Sequence, residues 1–222
     1  MYTLIYLMAG QGQRMNLGYN KAFYQYNKDK YVFQLALNKF INNPKINKIL
    51  LVTDKENIHL VENMYYENNK IQIIEGGIKR IDSVSNALKL VDTKYAIIHD
   101  SARCFISEND INNLLNVTDF DALYACKKVT DTIRKQELNE YNNFNTLNRN
   151  ELLIVETPQI FNTNILKKEM NNMNNNIEYT DEISLLENKN YKVIPCLTND
   201  LNIKLTNIND LNLLTLLGDK ND

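Results

Sequence analysis

An α/β fold, a mostly parallel sheet flanked by helices on both faces, is what this chain of 222 residues predicts. Three observations carry that expectation. Short apolar runs rich in β-branched residues or tyrosine alternate with stripes of helical period through the first half of the chain. Alternation of strand and helix favours a parallel sheet covered on both faces. Glycines or an aspartate directly follow several of the runs, and in such sheets ligands bind outside the carboxyl ends of the strands.

The elements read in order as follows. Thr3–Met8, Ile46–Thr53, Ile71–Ile74 and Tyr95–His99 are the strand-like runs. Phe33, Leu37, Phe40 and Ile41 fall on one helical face, as do Val84, Ala87, Leu88 and Val91, with Asp82 or Ser83 placed to cap the second helix. Ser107 and Asp110 have capping-box spacing ahead of Ile111, Leu114 and Leu115. Gly10, Gly76, Gly77 and Asp100 should therefore meet on one rim. Val129–Arg134 reads as extended. Glu137–Asn150 is polar and rich in asparagine, the composition of a disordered loop or of an excursion packed on another subunit. Core-like patterns then return: Leu152–Val155, a turn at Thr157-Pro158, a helix from about Asn162, and a helix start at Thr180–Ile183. Val193–Cys196 and Ile203–Leu205 read as late strands, and Asp210–Leu217 as a leucine-rich helix. No internal repeat is present.

The length suits one large α/β domain, or one domain with a small appendage, and a hydrophobic content of 44% supplies a real core. With a net charge of -2 there is no basic excess of the kind nucleic-acid binders carry. No apolar stretch approaches the roughly 20 residues a membrane-spanning helix needs. The N-terminal run lacks the form of a signal peptide, so a cytoplasmic location is expected. Cys104, Cys126 and Cys196 are odd in number and form no C-x-x-C pair, which reads as small buried hydrophobes rather than zinc ligands or a disulfide framework.

The chemistry concentrates at the strand ends. Ala9-Gly-Gln-Gly12 breaks the first apolar run, and Arg14 and Lys21 follow with no acid before Asp29. Gly10 and Gly12 permit positive φ and close backbone approach. Consecutive N–H groups and two fixed cations at one point form a place to hold phosphates. The pattern is neither the dinucleotide fingerprint, since Met15 stands where a third glycine would open the helix, nor a Walker loop. Gly76-Gly77 opens a second loop, where backbone groups and the Ser83 hydroxyl could read a base edge. Asp100, at the carboxyl end of a strand facing that site, has the chemistry of a Mg2+ ligand. His99 reads as a packed strand-end histidine. Thr130, Thr132, Arg134 and Arg149, with Thr157, Thr180 and Lys204 downstream, offer hydroxyls and cations to a second, phosphate-bearing substrate.

Taken together these motifs resemble the 2-C-methyl-D-erythritol 4-phosphate cytidylyltransferase family. The resemblance runs from Leu4 to about Leu214 through Ala9–Met15, Asn20-Lys21, Gly76–Val84, His99–Arg103, Asp131–Ile133, Asn148–Leu152, Thr157–Phe161, Thr180–Glu182 and Asn202–Thr206. It implies a Rossmann-like nucleotidyltransferase fold in a single domain, 1–222, with a protruding β-arm at about 129–152 that reaches a partner in a homodimer. It implies that Arg14 and Lys21 clamp the CTP phosphates and are catalytic, and that Ala9, Gly10, Gly12, Gly77, Arg80 and Ser83 bind the nucleotide. Asp100 would bind Mg2+, and Thr132, Arg149, Thr157, Thr180 and Lys204 would grip the polyol phosphate. Neighbouring readings are a cytidylyltransferase for ribitol 5-phosphate or another polyol phosphate, a sugar-1-phosphate nucleotidyltransferase and a non-catalytic nucleotide-binding module. The chain departs from the family pattern at Met8, Asn20, Ser101 and Cys104. Asn20 and Cys104 replace prolines, so looser loops are expected there.

Overall fold

The structure, a computed structural model, describes residues 1–10, 18–136, 143–174, 177–198 and 202–217. The strands are β1 (Tyr2–Leu7), β2 (Gln25–Asn27), β3 (Lys30–Tyr31), β4 (Ile46–Thr53), β5 (Ile71–Glu75), β6 (Tyr95–Asp100), β7 (Ala122–Lys128), β8 (Arg134–Gln136), β9 (Phe144–Thr146), β10 (Leu153–Asn162) and β11 (Val193–Leu197). The helices are α1 (Val32–Ile41), α2 (Ile58–Tyr65), α3 (Arg80–Leu88), α4 (Glu108–Asn116), α5 (Thr163–Asn171) and α6 (Asn212–Leu217).

Among the described residues the main sheet has seven strands in the order β11-β7-β10-β6-β1-β4-β5. β10 alone runs antiparallel, against β6 on one side and β7 on the other, and the other pairings are parallel. Every residue of β1 is buried. Its even positions, Tyr2, Leu4 and Tyr6, join Met8, Phe33, Leu37 and Phe40 on one face of the sheet. Ile5 and Leu7 join Val52, Val84, Phe161 and Leu166 on the other. A strand buried at every position, and apolar but for Thr3, is what two covered faces require. Pro195 lies in β11, an edge strand, where a missing N–H leaves no gap in the ladder.

The predicted cap at Ser107 is present, α3 starts ahead of Asp82 with Lys79 at its N-cap, and a further side-chain cap opens α5. The Ser107 hydroxyl accepts the Asp110 N–H at 3.0 Å and caps α4. The Asp82 carboxylate accepts the Lys79 N–H at 3.0 Å, closing the first turn of α3. Asn162 caps α5 through Asn164 N–H at 3.1 Å. Cys104 and Cys126 are buried and Cys196 is half-buried, all three free. Burial pushes the Cys104 thiol up to about 12, which leaves it inert.

Four expectations are corrected. Thr157-Pro158 is no turn between elements but lies inside β10. Between Val155↔Cys126 and Gln159↔Tyr124 the strand carries extra residues, a bulge that frees Glu156, Thr157 and Pro158 from the ladder beside the site. Ile203–Leu205 forms no strand and crosses the strand ends, where Leu205 N–H meets Ala102 O and Lys204 meets Asp100. The helix expected from Thr180 shrinks to a 3-10 turn, Ile183–Leu186. The helix Asp210–Leu217 divides into a 3-10 turn, Ile208–Leu211, and α6. β7 and α2 went unread in the sequence.

The arm expected at about 129–152 contains the hairpin β8–β9, with Arg134 opposite Thr146 and exposed residues throughout. Residues 137–142 lie outside the described residues. Phe161 has no solvent exposure and sits in the central antiparallel strand. Phe161→Ala is expected to lower the unfolding free energy by about 3–5 kcal/mol, measured by urea titration with circular dichroism.

Candidate active site

Strand register delivers the expected rim. Leu7 is level with Val52 on β4 and Asp100 on β6. Beyond that level Ala9 N–H donates to Val52 O at 2.9 Å, Ser101 N–H to Leu7 O at 2.9 Å and Gly76 N–H to Thr53 O at 2.8 Å. Gly10 has φ +131°, a region that side-chain-bearing residues rarely occupy. A Cβ on Gly76 would come within 2.6 Å of the Ala9 Cβ, so the two loops are packed directly together. Ser83 is buried, and its hydroxyl accepts the Gly77 N–H at 3.0 Å while reaching Lys79 O at 3.3 Å. Within this arrangement Ser83 braces the Gly77 loop. Gly12 and Arg14 lie outside the described residues.

Asp100 is the electrostatic centre. Arg80 Nε donates to Asp100 Oδ1 at 3.0 Å and Lys204 Nζ to Oδ2 at 2.7 Å. Arg80 also grips both carboxylate oxygens of Glu182, at 2.7 and 2.8 Å. Burial acts to raise the Asp100 carboxyl, but the Arg80 and Lys204 charges outweigh it and hold the group well below the usual carboxylate range. Burial likewise pushes Glu182 up, opposed by Arg80. Gln159 Nε2 donates to Asp181 Oδ2 at 2.8 Å, and the Ser184 N–H to Oδ1 at 3.0 Å. These bonds fix the turn that turns Glu182 toward Arg80 and leaves Thr180 exposed beside it.

Lys21 opens the 3-10 turn Lys21–Phe23, and its Nζ donates to Leu205 O at 2.7 Å. The turn is pinned by Asn20, whose Oδ1 accepts Ala22 N–H at 3.0 Å while Nδ2 donates to Met8 O and, at 2.7 Å, to Asp54 Oδ2. The loosening expected at Asn20 is thus replaced by side-chain bonds to two strand ends. Cys104 is similarly fixed, packed with Val32, Leu35 and Phe105.

His99 is fully buried and is no acid or base for the rim. Nε2 faces Arg103 O at 3.2 Å, an oxygen that only accepts, so Nε2 carries the imidazole proton. Nδ1 then accepts the proton of the Thr157 hydroxyl, 3.1 Å away, and that hydroxyl oxygen accepts the Asp100 N–H at 3.1 Å. Burial lowers the His99 pKa to about 3. Thr157 therefore sits beneath the rim as a hydrogen-bond relay. Thr132 and Arg149 belong to the arm: both are exposed, and Arg149 Nη1 donates to Thr130 O at 2.6 Å.

No group of three or more His, Cys, Asp or Glu able to hold a metal occurs among the described residues. Asp100 nonetheless fits a Mg2+ bound chiefly by phosphates. Such ions take one or two carboxylates plus substrate oxygens and water. Each Asp100 oxygen, with one described cation bound, keeps a lone pair in reserve.

The sequence does not mark Glu156, buried at 3% exposure, and it marks the fully buried Asn202 only as part of the Asn202–Thr206 run, not for its bonds. The partners of both are distant in sequence. The Thr-Asp-Glu run was noticed, but not that Glu182 anchors Arg80.

A positive-φ glycine and cations at the carboxyl ends of a mostly parallel sheet, arranged about one ionised aspartate, belong to an α/β fold of nucleotidyltransferase type. The sequence profile described as 2-C-methyl-D-erythritol 4-phosphate cytidylyltransferase matches residues 2–217. A protein of that name from Clostridium botulinum (strain Okra / Type B1) is 36% identical over 222 residues, covering 94% of this chain and 93% of the relative. One from Wigglesworthia glossinidia brevipalpis is 34% identical over 216 residues, covering 94% and 92%. The crystal structure of the Francisella tularensis protein of that name superposes with TM-score 0.76 at 28% identity, covering 97% of this chain and 98% of that one. A structure from Anaerococcus prevotii DSM 20548, at 23% identity and TM-score 0.81, shares the fold over 99% of this chain and 98% of its own. The chain belongs to the 2-C-methyl-D-erythritol 4-phosphate cytidylyltransferase family.

The neutral His99 has a consequence for acid stability. The unfolded chain takes up a proton here as pH falls below about 6.5, whereas the folded chain does so only near 3. Stability therefore falls with pH across that window. His99→Asn, less stable than the parent at pH 7, is expected to show a shallower loss between pH 7 and 4 in denaturant midpoint. An equally steep loss in the variant contradicts the assignment.

Proposed function

We propose that this chain transfers the cytidylyl group of CTP to 2-C-methyl-D-erythritol 4-phosphate, giving CDP-methylerythritol and pyrophosphate for isoprenoid precursor synthesis. Membership of the family across residues 2–217 carries this reading. The rim supplies the matching chemistry.

A phosphate oxygen of the polyol phosphate attacks the α-phosphorus of CTP. The bond from that phosphorus to the bridging oxygen breaks, and its electron pair leaves with pyrophosphate. A phosphate monoester has its second pKa near 6 and is already a nucleophilic anion at neutral pH, so no general base is needed. A buried, neutral His99 with both nitrogens engaged agrees with that. The barrier lies in bringing two anions together and neutralising charge on the leaving group, which positioning and fixed cations address.

In this reading Arg14 and Lys21 clamp the triphosphate over the strand end at Gly10. Lys21 exchanges its bond to Leu205 O for phosphate oxygens. Ala9, Gly10, Gly12 and Gly77 admit the cytidine, with Ser83 holding the Gly77 loop in shape. Arg80 acts on the nucleotide end through Asp100 and Glu182. Lys204, beside Asp100, and Thr180, on the neighbouring turn, face the polyol phosphate, with Thr157 supporting the strand end beneath. Asp100 would hold Mg2+ together with the triphosphate, and that ion, when bound, offsets phosphate charge and orients the leaving group.

The chain acts as a homodimer in the cytoplasm, its arm bringing Thr132 and Arg149 to the partner's site. Supporting this, the arm exposes Ile133, Phe144 and Leu147, and the adjoining end of β10 exposes Leu153, Ile154 and Val155. Among the described residues no helix is long and apolar enough to cross a membrane.

Pyrophosphate release from CTP and Mg2+ is expected with 2-C-methyl-D-erythritol 4-phosphate and to be far slower with ribitol 5-phosphate. The reverse preference overturns the substrate assignment. Lys21→Ala is expected to lower kcat by about 10²-fold or more with a smaller rise in KM for CTP. Near-normal turnover in that variant refutes its role.

A further inference from the structure

Glu156 is a buried carboxylate that the transfer chemistry leaves unused. It stands on the β10 bulge with donors from four separate segments around it. Oε1 faces Lys127 Nζ of β7 at 3.0 Å and Arg103 Nη1 at 3.4 Å. Oε2 accepts from Thr198 Oγ1, just past β11, at 3.0 Å and from Asn202 Nδ2 at 3.0 Å. Asn202 in turn donates to Thr157 O at 2.8 Å, and its own carbonyl accepts Arg103 Nη1 at 2.9 Å.

Asn202 is the first described residue of the segment that crosses the strand ends. Two residues on, Lys204 reaches Asp100. Next, Leu205 N–H donates to Ala102 O at 2.8 Å, and Leu205 O receives Lys21 Nζ. One short segment thus holds two rim cations, and its buried end is fastened to Glu156.

We propose that Glu156 and Asn202 are positioning residues, a buried clasp that sets the register of segment 202–206 and through it aims Lys204 and Lys21. Burying a carboxylate costs more than packing an apolar side chain of similar size, so stability alone explains its presence poorly. An apolar residue at 156 would fill the volume but give Asn202, Thr198 and Arg103 no common acceptor. A displacement of about 1 Å at a reacting group can cost on the order of 10²-fold in rate, so the register of this segment matters to catalysis. The catalytic consequence rests on the proposed function; the positioning itself does not.

The test therefore reads Lys204 directly. The full chain, Asn202→Ala and Glu156→Gln are treated briefly with succinic anhydride at neutral pH. Modification of Lys204 is followed by peptide mass spectrometry against the exposed Lys28 as reference. In the variants the Lys204 rate is expected to rise about 3-fold or more, as the charge-assisted bond to Asp100 is lost. Leu88→Ala, a core variant on the far side of α3, is expected to lose stability without changing that rate. If Asn202→Ala does not fold, Glu156→Gln, which keeps the volume, carries the test. An unchanged Lys204 rate in a folded clasp variant overturns the proposal. With CTP and the polyol phosphate, the same variants are expected to lose about 10-fold or more in kcat/KM. Absence of pyrophosphate release by the unaltered chain counts against the proposed function alone.

Discussion

The ionised Asp100 carboxylate, held between Arg80 and Lys204, is the interaction on which the site depends. A carboxylate this buried would take up a proton if left alone, because burial disfavours its charge. Two cations on opposite oxygens keep it ionised, and in return it fixes where they stand. Arg80 is tied further to Glu182, whose side chain has no solvent exposure. Lys204 has a single carboxylate contact described and is partly exposed. The inner cation is thus bound as structure, and the outer one stays partly open to solvent. An arrangement of this kind holds positive charge at a surface while the chain as a whole is slightly acidic, at net charge -2.

The sheet explains why these groups meet. Parallel strands put successive carboxyl ends on one edge, and the register of β1 with β4 and β6 brings Leu7, Val52 and Asp100 to one level, with Ala9 and Thr53 just beyond it. The antiparallel β10 adds a different element. Its bulge places Glu156 and Thr157 at that same edge, where a regular strand would have continued the ladder. Thr157 satisfies the Asp100 N–H from its side chain and donates to His99 below. The polar layer beneath the rim is therefore as specific as the rim itself, and it holds the catalytic surface through hydrogen bonds rather than through apolar contact.

Much of this was legible in the sequence wherever the signal was local. The apolar runs, the Ser107 cap, the Gly10 turn and the Asp100 strand end are readable because their causes lie within a few residues. What was not legible depends on distant partners. Thr157-Pro158 has the composition of a turn and is a strand bulge, because β6 and β7 flank it. Ile203–Leu205 has the composition of a strand but finds no ladder, only the Ala102 carbonyl and the Lys21 amine. The hydroxyls of Ser83 and Thr157 are legible as polar groups of the site, but not the bonds by which they brace it: Ser83 to Gly77 and Lys79, Thr157 to Asp100 and His99. Glu156 carried no signal, and Asn202 only its place in the Asn202–Thr206 run, since the part a buried polar residue plays is recognisable only once its partners are assembled. Asn20 illustrates the reverse: the loss of a proline suggested slack, and three side-chain hydrogen bonds take it up.

The most direct test of the central claim is a crystal structure of the chain with CTP and Mg2+. The account predicts the triphosphate seated over the Gly10 turn, with Lys21 Nζ moved from the Leu205 carbonyl to phosphate oxygens and Asp100 still ionically tied to Arg80. A triphosphate bound elsewhere, or Lys21 still on Leu205 with nucleotide in place, would contradict it.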